Sequence, residues 1–403
     1  MRSFPNSVWE NKRMKYTEEI RFVIERLEAH GFEAYLVGGA LRDALLCRAA
    51  SDFDVTTSAL PSEMQEVFSD QKTIETGLKH GTLTVLVKGS PIEVTTFRID
   101  GEYLDARHPS EVLFTRSLRE DLRRRDFTVN AMAYSEAAGL VDLFGGREDL
   151  ENRRIRAVGE PEKRFSEDAL RILRAFRFVS KLGFDIEEKT LRAIGECREG
   201  LRRVSAERIA AELRGILMGG KASEALALME KSGVLALVLP EAVPGVALET
   251  LSPDFEVRLA FLLKDTENEA LSARLHALKL SNISIHKVTA LVCLSREEIA
   301  GTDEPQVRRL LAKSGEFFAP LLEILGAKGI STQDLRCTAA RISARGDCLR
   351  VSDLAISGKD LAALGYKGKE IGNTLDLLLD AVLDDPTLNE KDKLKDFLEK
   401  YRE

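Results

Sequence analysis

Asp52 and Asp54 lie two residues apart in Asp52-Phe-Asp54, shortly after Tyr35-Leu-Val-Gly38-Gly39-Ala-Leu-Arg42-Asp43. In an extended segment, side chains at i and i+2 share a face. Two carboxylates brought together there repel unless a cation lies between them. Mg²⁺ takes oxygen ligands, binding through one or two carboxylates plus substrate phosphates. Two such ions can clamp the attacking and leaving oxygens of a phosphoryl transfer. A lone Asp-x-Asp also occurs on exposed turns; the segment just before it favours the metal reading. Gly38 and Gly39 follow an apolar run and precede a helix-like stretch, so the backbone can approach a ligand closely. Amides at that helix start can meet phosphate oxygens, and Arg42 can add a charge-assisted contact. An ordinary strand-to-helix turn would use the same two glycines. Glu93, in Pro91-Ile-Glu93-Val-Thr-Thr-Phe-Arg98, falls mid-strand among β-branched residues. If buried it needs a partner, which a metal, an attacking hydroxyl or Arg98 would supply.

A second group follows about 110 residues on, Glu167-Asp168-Ala-Leu-Arg171. On their Watson–Crick edges, cytosine and adenine each show an amino donor beside a ring-nitrogen acceptor. Guanine and uracil show a carbonyl beside a ring N–H. Asp is acceptor-only and Arg donor-only, so an Asp–Arg pair fits C and A and opposes G and U. A wrong base leaves buried polar groups unpaired, at roughly 1–3 kcal/mol each. On one helix, Asp168 and Arg171 would share a face at i,i+3. Arg174 would continue the stripe, whereas Arg177 would lie on the other side and meet a triphosphate or RNA. A surface salt bridge would use the same spacing.

The elements that must position these groups divide by hydrophobic period. Residues 17–30 read as an amphipathic helix capped by Thr17 and stopped by Gly31. From 33 to about 145, β-rich runs (34–37, 53–57, 82–87, 92–98 and 140–143) alternate with short helices. Beyond about 150 the strand signal vanishes and helices are expected at 166–181, 187–196, 205–218, 222–231 and onward. The expected class is therefore α+β, a mixed sheet with helices followed by an all-helical remainder. Gly215-Ile-Leu-Met-Gly-Gly220-Lys221-Ala222 nearly spells a phosphate-binding Walker loop. It lacks the metal-binding Ser or Thr and follows a helix, so it reads as a helix end and turn.

Composition narrows the function classes. With 403 residues, two to four domains are expected. Hydrophobic residues make up 44% and charged residues 31%, as in globular proteins that need no membrane. No apolar run approaches 18 residues, and the N-terminus lacks an apolar signal core. Five scattered cysteines, with no Cys-x-x-Cys pair, read as reduced cytoplasmic thiols. The net charge of −7 opposes bulk nucleic-acid binding. Residues 147–214, with 17 Lys/Arg against 14 Asp/Glu, form a locally basic stretch.

With these residues in view, the chain resembles the bacterial class II CCA-adding enzymes (tRNA nucleotidyltransferases), a family that includes bacterial poly(A) polymerases. The likeness covers nearly the whole sequence and rests on four segments. They are Tyr35 to Asp54, Arg124-Arg125-Asp126-Phe-Thr-Val-Asn130-Ala-Met, Gly145-Gly-Arg-Glu-Asp-Leu, and Arg164-Phe-Ser-Glu-Asp168-Ala-Leu-Arg171-Ile-Leu-Arg174-Ala-Phe-Arg177-Phe. The resemblance implies that Asp52, Asp54 and Glu93 are catalytic, with Asp52 and Asp54 holding two Mg²⁺ ions. It implies that Gly38, Gly39, Arg42, Arg125, Asp126, Asn130, Asp168, Arg171, Arg174 and Arg177 bind the nucleotide. It implies a catalytic head over 1–150, a neck with the base-selecting helix over 151–218, and a tRNA-binding body over 219–330 and tail over 331–403. The implied substrates are CTP and ATP, the partner is the acceptor end and elbow of tRNA, and the compartment is the cytoplasm.

Branches of the family differ. The five histidines include no His-Asp dipeptide, so the long form's phosphohydrolase domain is not expected. Residues 100–109 look complete, which by resemblance favours full CCA addition over addition of the two cytidines alone. A mobile loop over 100–116, helping the site adapt from C to A, is expected. Ile356 to Gly372 resembles the short-form tail. Addition of the final A only, poly(A) synthesis, and a non-catalytic RNA-binding protein are the alternatives. Converging carboxylates oppose the last.

Overall fold

The computed structural model describes residues 17–49, 53–100, 112–243, 248–299 and 301–402. It divides into two compact units, Met1–Pro240 and Glu241–Glu403. In the first, period-two burial builds a seven-stranded sheet. Strand β1 is Ala34–Val37, β2 Asp54–Thr57, β3 Lys72–Ile74, β4 Thr82–Val87 and β5 Ser90–Thr96. A separate hairpin pairs β6 (Arg98–Asp100) with β7 (Val112–Phe114), and β8 (Met132–Ser135) and β9 (Gly139–Asp142) complete the large sheet. Its order is β3-β4-β5-β2-β1-β8-β9, antiparallel except where β2 meets β5. In β4, Leu83, Val85 and Val87 point inward, as strand alternation requires. Val37, Phe97, Leu118, Leu122 and Ala133 form a buried cluster in this part of the unit.

Helices cover the sheet and extend from it: α1 Glu18–Ala29, α2 Gly38–Leu45, α3 Pro61–Val67, α4 Leu118–Arg123 and α5 Gly146–Glu151. They are followed by α6 Pro161–Glu167, α7 Leu170–Leu182, α8 Glu188–Cys197, α9 Ala206–Leu217 and α10 Ala222–Lys231. Gly31, φ +83°, ends α1 as expected, while Thr17 makes no side-chain cap hydrogen bond.

Four expectations need correction. The region beyond 150 holds a parallel two-stranded ribbon, β10 (Arg154–Ile155) with β11 (Asp185–Ile186), too short to leave a periodic signal. Strands β3 and β8 were also not legible. The ends of the expected loop over 100–116 are paired in the β6–β7 hairpin, while residues 101–111 lie outside those described. Finally, the helix expected over 166–181 is two helices, broken at Asp168 and Ala169.

The second unit is helical. Its buried centre toward the C-terminus gathers Cys348, Ile356, Leu361, Tyr366, Leu378, Val382, Leu394 and Leu398. Buried Arg308 donates to the Leu383 and Asp384 carbonyls and pairs with Asp347 at 3.2 Å. No helix among the described residues is long and apolar enough to cross a membrane.

The Walker-like segment is the end of α9 and the turn into α10, as its sequence suggested. Two of its glycines, Gly215 and Gly219, serve packing against α7. A Cβ on Gly219 would sit 2.0 Å from Ser180 Oγ and 2.6 Å from the Ser180 carbonyl oxygen. Ser180 Oγ donates to the Ile216 carbonyl at 2.5 Å, so it has little room to yield. Gly219→Ala should cost roughly 1–3 kcal/mol of stability by overpacking. Gly220→Ala, with nothing within 4 Å, should cost far less. Urea unfolding of the two variants checks this, and equal midpoints would refute it.

Candidate active site

The register of β2 on β5 sets the chemistry. Asp54 and Glu93 are direct neighbours in the parallel pair, followed by Val55 with Val94 and Thr56 with Thr95. Both carboxylates are exposed and line a cavity of about 680 Å³. Glu93 is thus not a buried strand carboxylate, because β5 opens onto this cavity. Arg98 donates elsewhere, from Nη1 to the His80 carbonyl at 2.8 Å. Asp52 lies outside the described residues.

Gly38 follows directly on β1 and starts α2 with φ +72°. A side chain there would be strained, and its Cβ would lie 3.4 Å from Asp54 Oδ2 and 3.6 Å from Arg125 Nη1. Gly38 and Gly39 both line the cavity, bringing the start of α2 to the carboxylate pair.

Two buried carboxylates hold the arginines. Asp121 on α4 is fully buried. Its Oδ1 accepts from Arg124 at 2.8 and 3.0 Å and from the Arg98 amide at 3.3 Å. Its Oδ2 accepts from Arg125 at 3.2 Å and from the Thr56 hydroxyl at 3.4 Å. Burial alone would raise this carboxyl; the charges of Arg124 and Arg125 outweigh it and hold the group below the usual carboxylate range. Asp126 accepts from the Phe127 amide at 2.8 Å, from Asn130 at 3.3 Å and from Arg174 at 2.7 Å. Burial again pushes upward, and Arg174 outweighs it to leave Asp126 lowered. Asn130 in turn accepts from Arg42 Nη1 at 2.8 Å.

Asp168 and Arg171 line the same cavity, but not as a pair on one helix. Asp168 has extended backbone and sits between α6 and α7. Its Oδ1 accepts from the Leu170 amide at 3.0 Å, a local bond that competes with helix continuation. Its Oδ2 takes Arg208 Nη2, on α9, at 2.7 Å. Arg171 donates to Glu167 at 2.7 Å and to the Arg164 and Arg124 carbonyls at 3.1 and 3.0 Å. The backbone bond from Arg171 N to the Asp168 carbonyl, 3.1 Å, keeps the two close.

Of the other expected site residues, Arg125, Asp126, Asn130 and Arg174 line the cavity. Arg42 and Arg177 do not. Arg42 is buried and bonded to Asn130 and Asp43. Arg177 Nε approaches Glu212 Oε2 to 2.9 Å without hydrogen-bond alignment. Burial lowers the Arg177 proton affinity and raises that of Glu212. Thr56, Thr95, Arg124 and Arg208 also line the cavity and were not foreseen. Arg124 stood in a quoted motif and Thr56 lies two residues beyond Asp54, on the same strand face. For Arg208, 40 residues from Asp168, no local pattern gave a signal.

A cavity floored by strand carboxylates, walled by arginines and opening at a Gly-Gly helix start suits transfer of a nucleotidyl group. The family model described as Poly A polymerase head domain matches residues 34–156. Those for the probable RNA and SrmB-binding site of polymerase A and for tRNA nucleotidyltransferase domain 2 match 183–244 and 256–398. The CCA-adding enzyme of Enterococcus faecalis is 38% identical over 396 residues, covering 94% of this chain and 95% of its own. That of Geobacillus kaustophilus is 38% identical over 400 residues, with the same coverage of each chain. The crystal structure of Bacillus stearothermophilus CCA-adding enzyme in complex with CTP superposes with a TM-score of 0.82 at 35% identity, covering 96% of this chain and 97% of that one. The chain belongs to the bacterial class II CCA-adding enzymes, a family of nucleotidyltransferases.

Because the Asp121 carboxyl titrates lower in the folded chain than in the unfolded one, its stabilisation is complete above about pH 4 and is lost as pH falls through the folded value. Asp121→Asn should lower stability at pH 7 by roughly 3 kcal/mol, since it leaves two arginines short of a buried partner. The gap to the unsubstituted protein should close below pH 4. A gap unchanged between pH 7 and pH 3 would contradict this account.

Proposed function

We propose that this chain adds CCA to the 3′ end of tRNA in the cytoplasm from CTP and ATP, choosing each nucleotide with protein side chains. The observation that carries the reading is the cross-strand pair Asp54–Glu93, facing the cavity that Asp168 and Arg171 also line. In this reading the sheet-bearing head over 1–150 is catalytic and the neck over 151–218 selects the base. The helical body over 219–330 and tail over 331–403 hold the tRNA, mainly through phosphate contacts and shape.

The donor set fits a hard divalent cation. Asp54 and Glu93 offer carboxylates on neighbouring strands that both line the cavity. Asp52 and Asp54 would hold two Mg²⁺ ions, with Glu93 as the third catalytic carboxylate; bound there, they would neutralise charge developing on the transferring phosphate. Arg125 and Arg174 face the triphosphate, and Asp126 and Asn130 set the ribose end. Gly38 and Gly39 let the phosphates approach the start of α2. Asp168 accepts from the amino group shared by C and A, and Arg171 donates to the neighbouring ring nitrogen.

The decisive assay offers tRNAs lacking CCA, CA or A alone to the protein with each labelled triphosphate in turn. C should enter twice, then A once. Addition of A only, or of a long A tract, would overturn the assignment to full CCA synthesis. Asp54→Ala or Glu93→Ala should lower transfer by roughly 10²-fold or more with the fold intact. A soluble Asp54→Ala variant with normal turnover would remove the catalytic role. Asp168→Ala and Arg171→Ala should each erode discrimination against UTP and GTP by about tenfold and slow correct incorporation. Unchanged selectivity in both would show that the base is read elsewhere.

A further inference from the structure

Phe178, on α7, is buried and belongs to no hydrogen-bond network, yet three guanidinium groups meet its ring. Arg42 lies 5.3 Å from the ring centroid, Arg177 5.5 Å and Arg174 5.9 Å. Phe127 supports the ring edge to face, at 5.6 Å and 85°. The three cations come from separate places. Arg42 belongs to α2, behind Gly39, whose Cβ would lie 3.5 Å from Arg42 Nη2. Arg174 stands on the cavity wall and Arg177 one turn further along α7. Each is also anchored elsewhere: Arg42 by Asn130 and Asp43, Arg174 by Asp126, Arg177 by Glu212.

Three like charges around one side chain repel one another, and burial worsens this for Arg177. The negative face of an aromatic ring offsets part of that cost, which an aliphatic side chain of similar volume cannot do. The ring also touches groups on both α2 and α7, so it fixes the spacing between them. We infer that Phe178 is a positioning residue that gathers Arg42, Arg174 and Arg177 into one cationic set aimed at the phosphates of the incoming nucleotide. Arg174 presents the charge at the wall, and Arg42 and Arg177 reinforce it from behind. The inference rests on the reading of this cavity as the nucleotide site.

The test replaces Phe178 with 4-fluoro-, 3,5-difluoro- and 3,4,5-trifluorophenylalanine in the full chain, which drains the ring face of negative charge while nearly keeping its shape. Equilibrium dissociation constants for CTP and ATP, and the unfolding temperature, are measured for each. Both dissociation constants should climb stepwise with fluorination, to about tenfold for the trifluoro ring. They should climb equally, because the phosphates are common to both nucleotides. Preference over UTP and GTP should not change, and the unfolding temperature should hardly move. Dissociation constants flat across the series would overturn the inference and leave Phe178 as core filling. Arg174→Ala separates the two levels of the argument. If it weakens CTP binding while fluorination does not, only the role of Phe178 falls. If it leaves CTP binding unchanged, the nucleotide-site reading falls with it.

Discussion

The parallel register of β2 against β5 is the constraint on which the site depends. It sets Asp54 beside Glu93 although they are 39 residues apart in the chain. A slip of one residue would turn one of the two to the opposite face of the sheet and destroy their convergence. Parallel neighbours cannot be joined by a tight turn. The intervening chain runs through α3, β3 and β4 before β5 returns between β4 and β2. Val55 and Val94, the next pair along, are fully buried and fix the register by packing. The carboxylates can then remain exposed, because the apolar residues beside them hold the strands in place.

Around this floor the arginines are arranged by charges that never reach the cavity or barely do. Asp121 is buried, yet it orients Arg124 and Arg125 and, through the Arg98 amide, the start of β6. Asp126 links α7 to the segment after α4 by holding Arg174. Such carboxylates are costly to bury alone, so each is surrounded by donors. The result is a wall of guanidinium groups whose positions are set from behind.

Much of this was legible in the sequence because it is local. The Gly-Gly turn after an apolar run, the carboxylate at 54, the mid-strand Glu93 and the Arg-rich segment at 171–177 all follow from short-range pattern. What escaped is what depends on distance along the chain or on breaks in regularity. The interruption between α6 and α7 was hidden because Asp168 and Ala169 do not forbid a helix; a side-chain bond to the Leu170 amide makes the break. Arg208 went unforeseen and Arg42 was misplaced for the same reason, since their partners lie 40 and 88 residues away. The two-residue strands β10 and β11 are shorter than any window in which a period can register.

The pairing of Asp168 with Arg208 has a consequence for recognition. The carboxylate that would read the base is not idle: one oxygen is engaged by a backbone amide and the other by a guanidinium. On the proposed reading, entry of a nucleotide at this carboxylate would be an exchange reaction, in which Arg208 yields or shares an oxygen as the base arrives. The work of loosening Arg208 is the same for all four bases, so it cancels from the ratio of any two. It weakens every nucleotide alike and sets the affinity scale. What does not cancel is the refund: a base with an amino donor restores the lost hydrogen bond, and a base with a carbonyl cannot. On the proposed reading, affinity and fidelity would then fall to different residues, Arg208 for the first and Asp168 for the second.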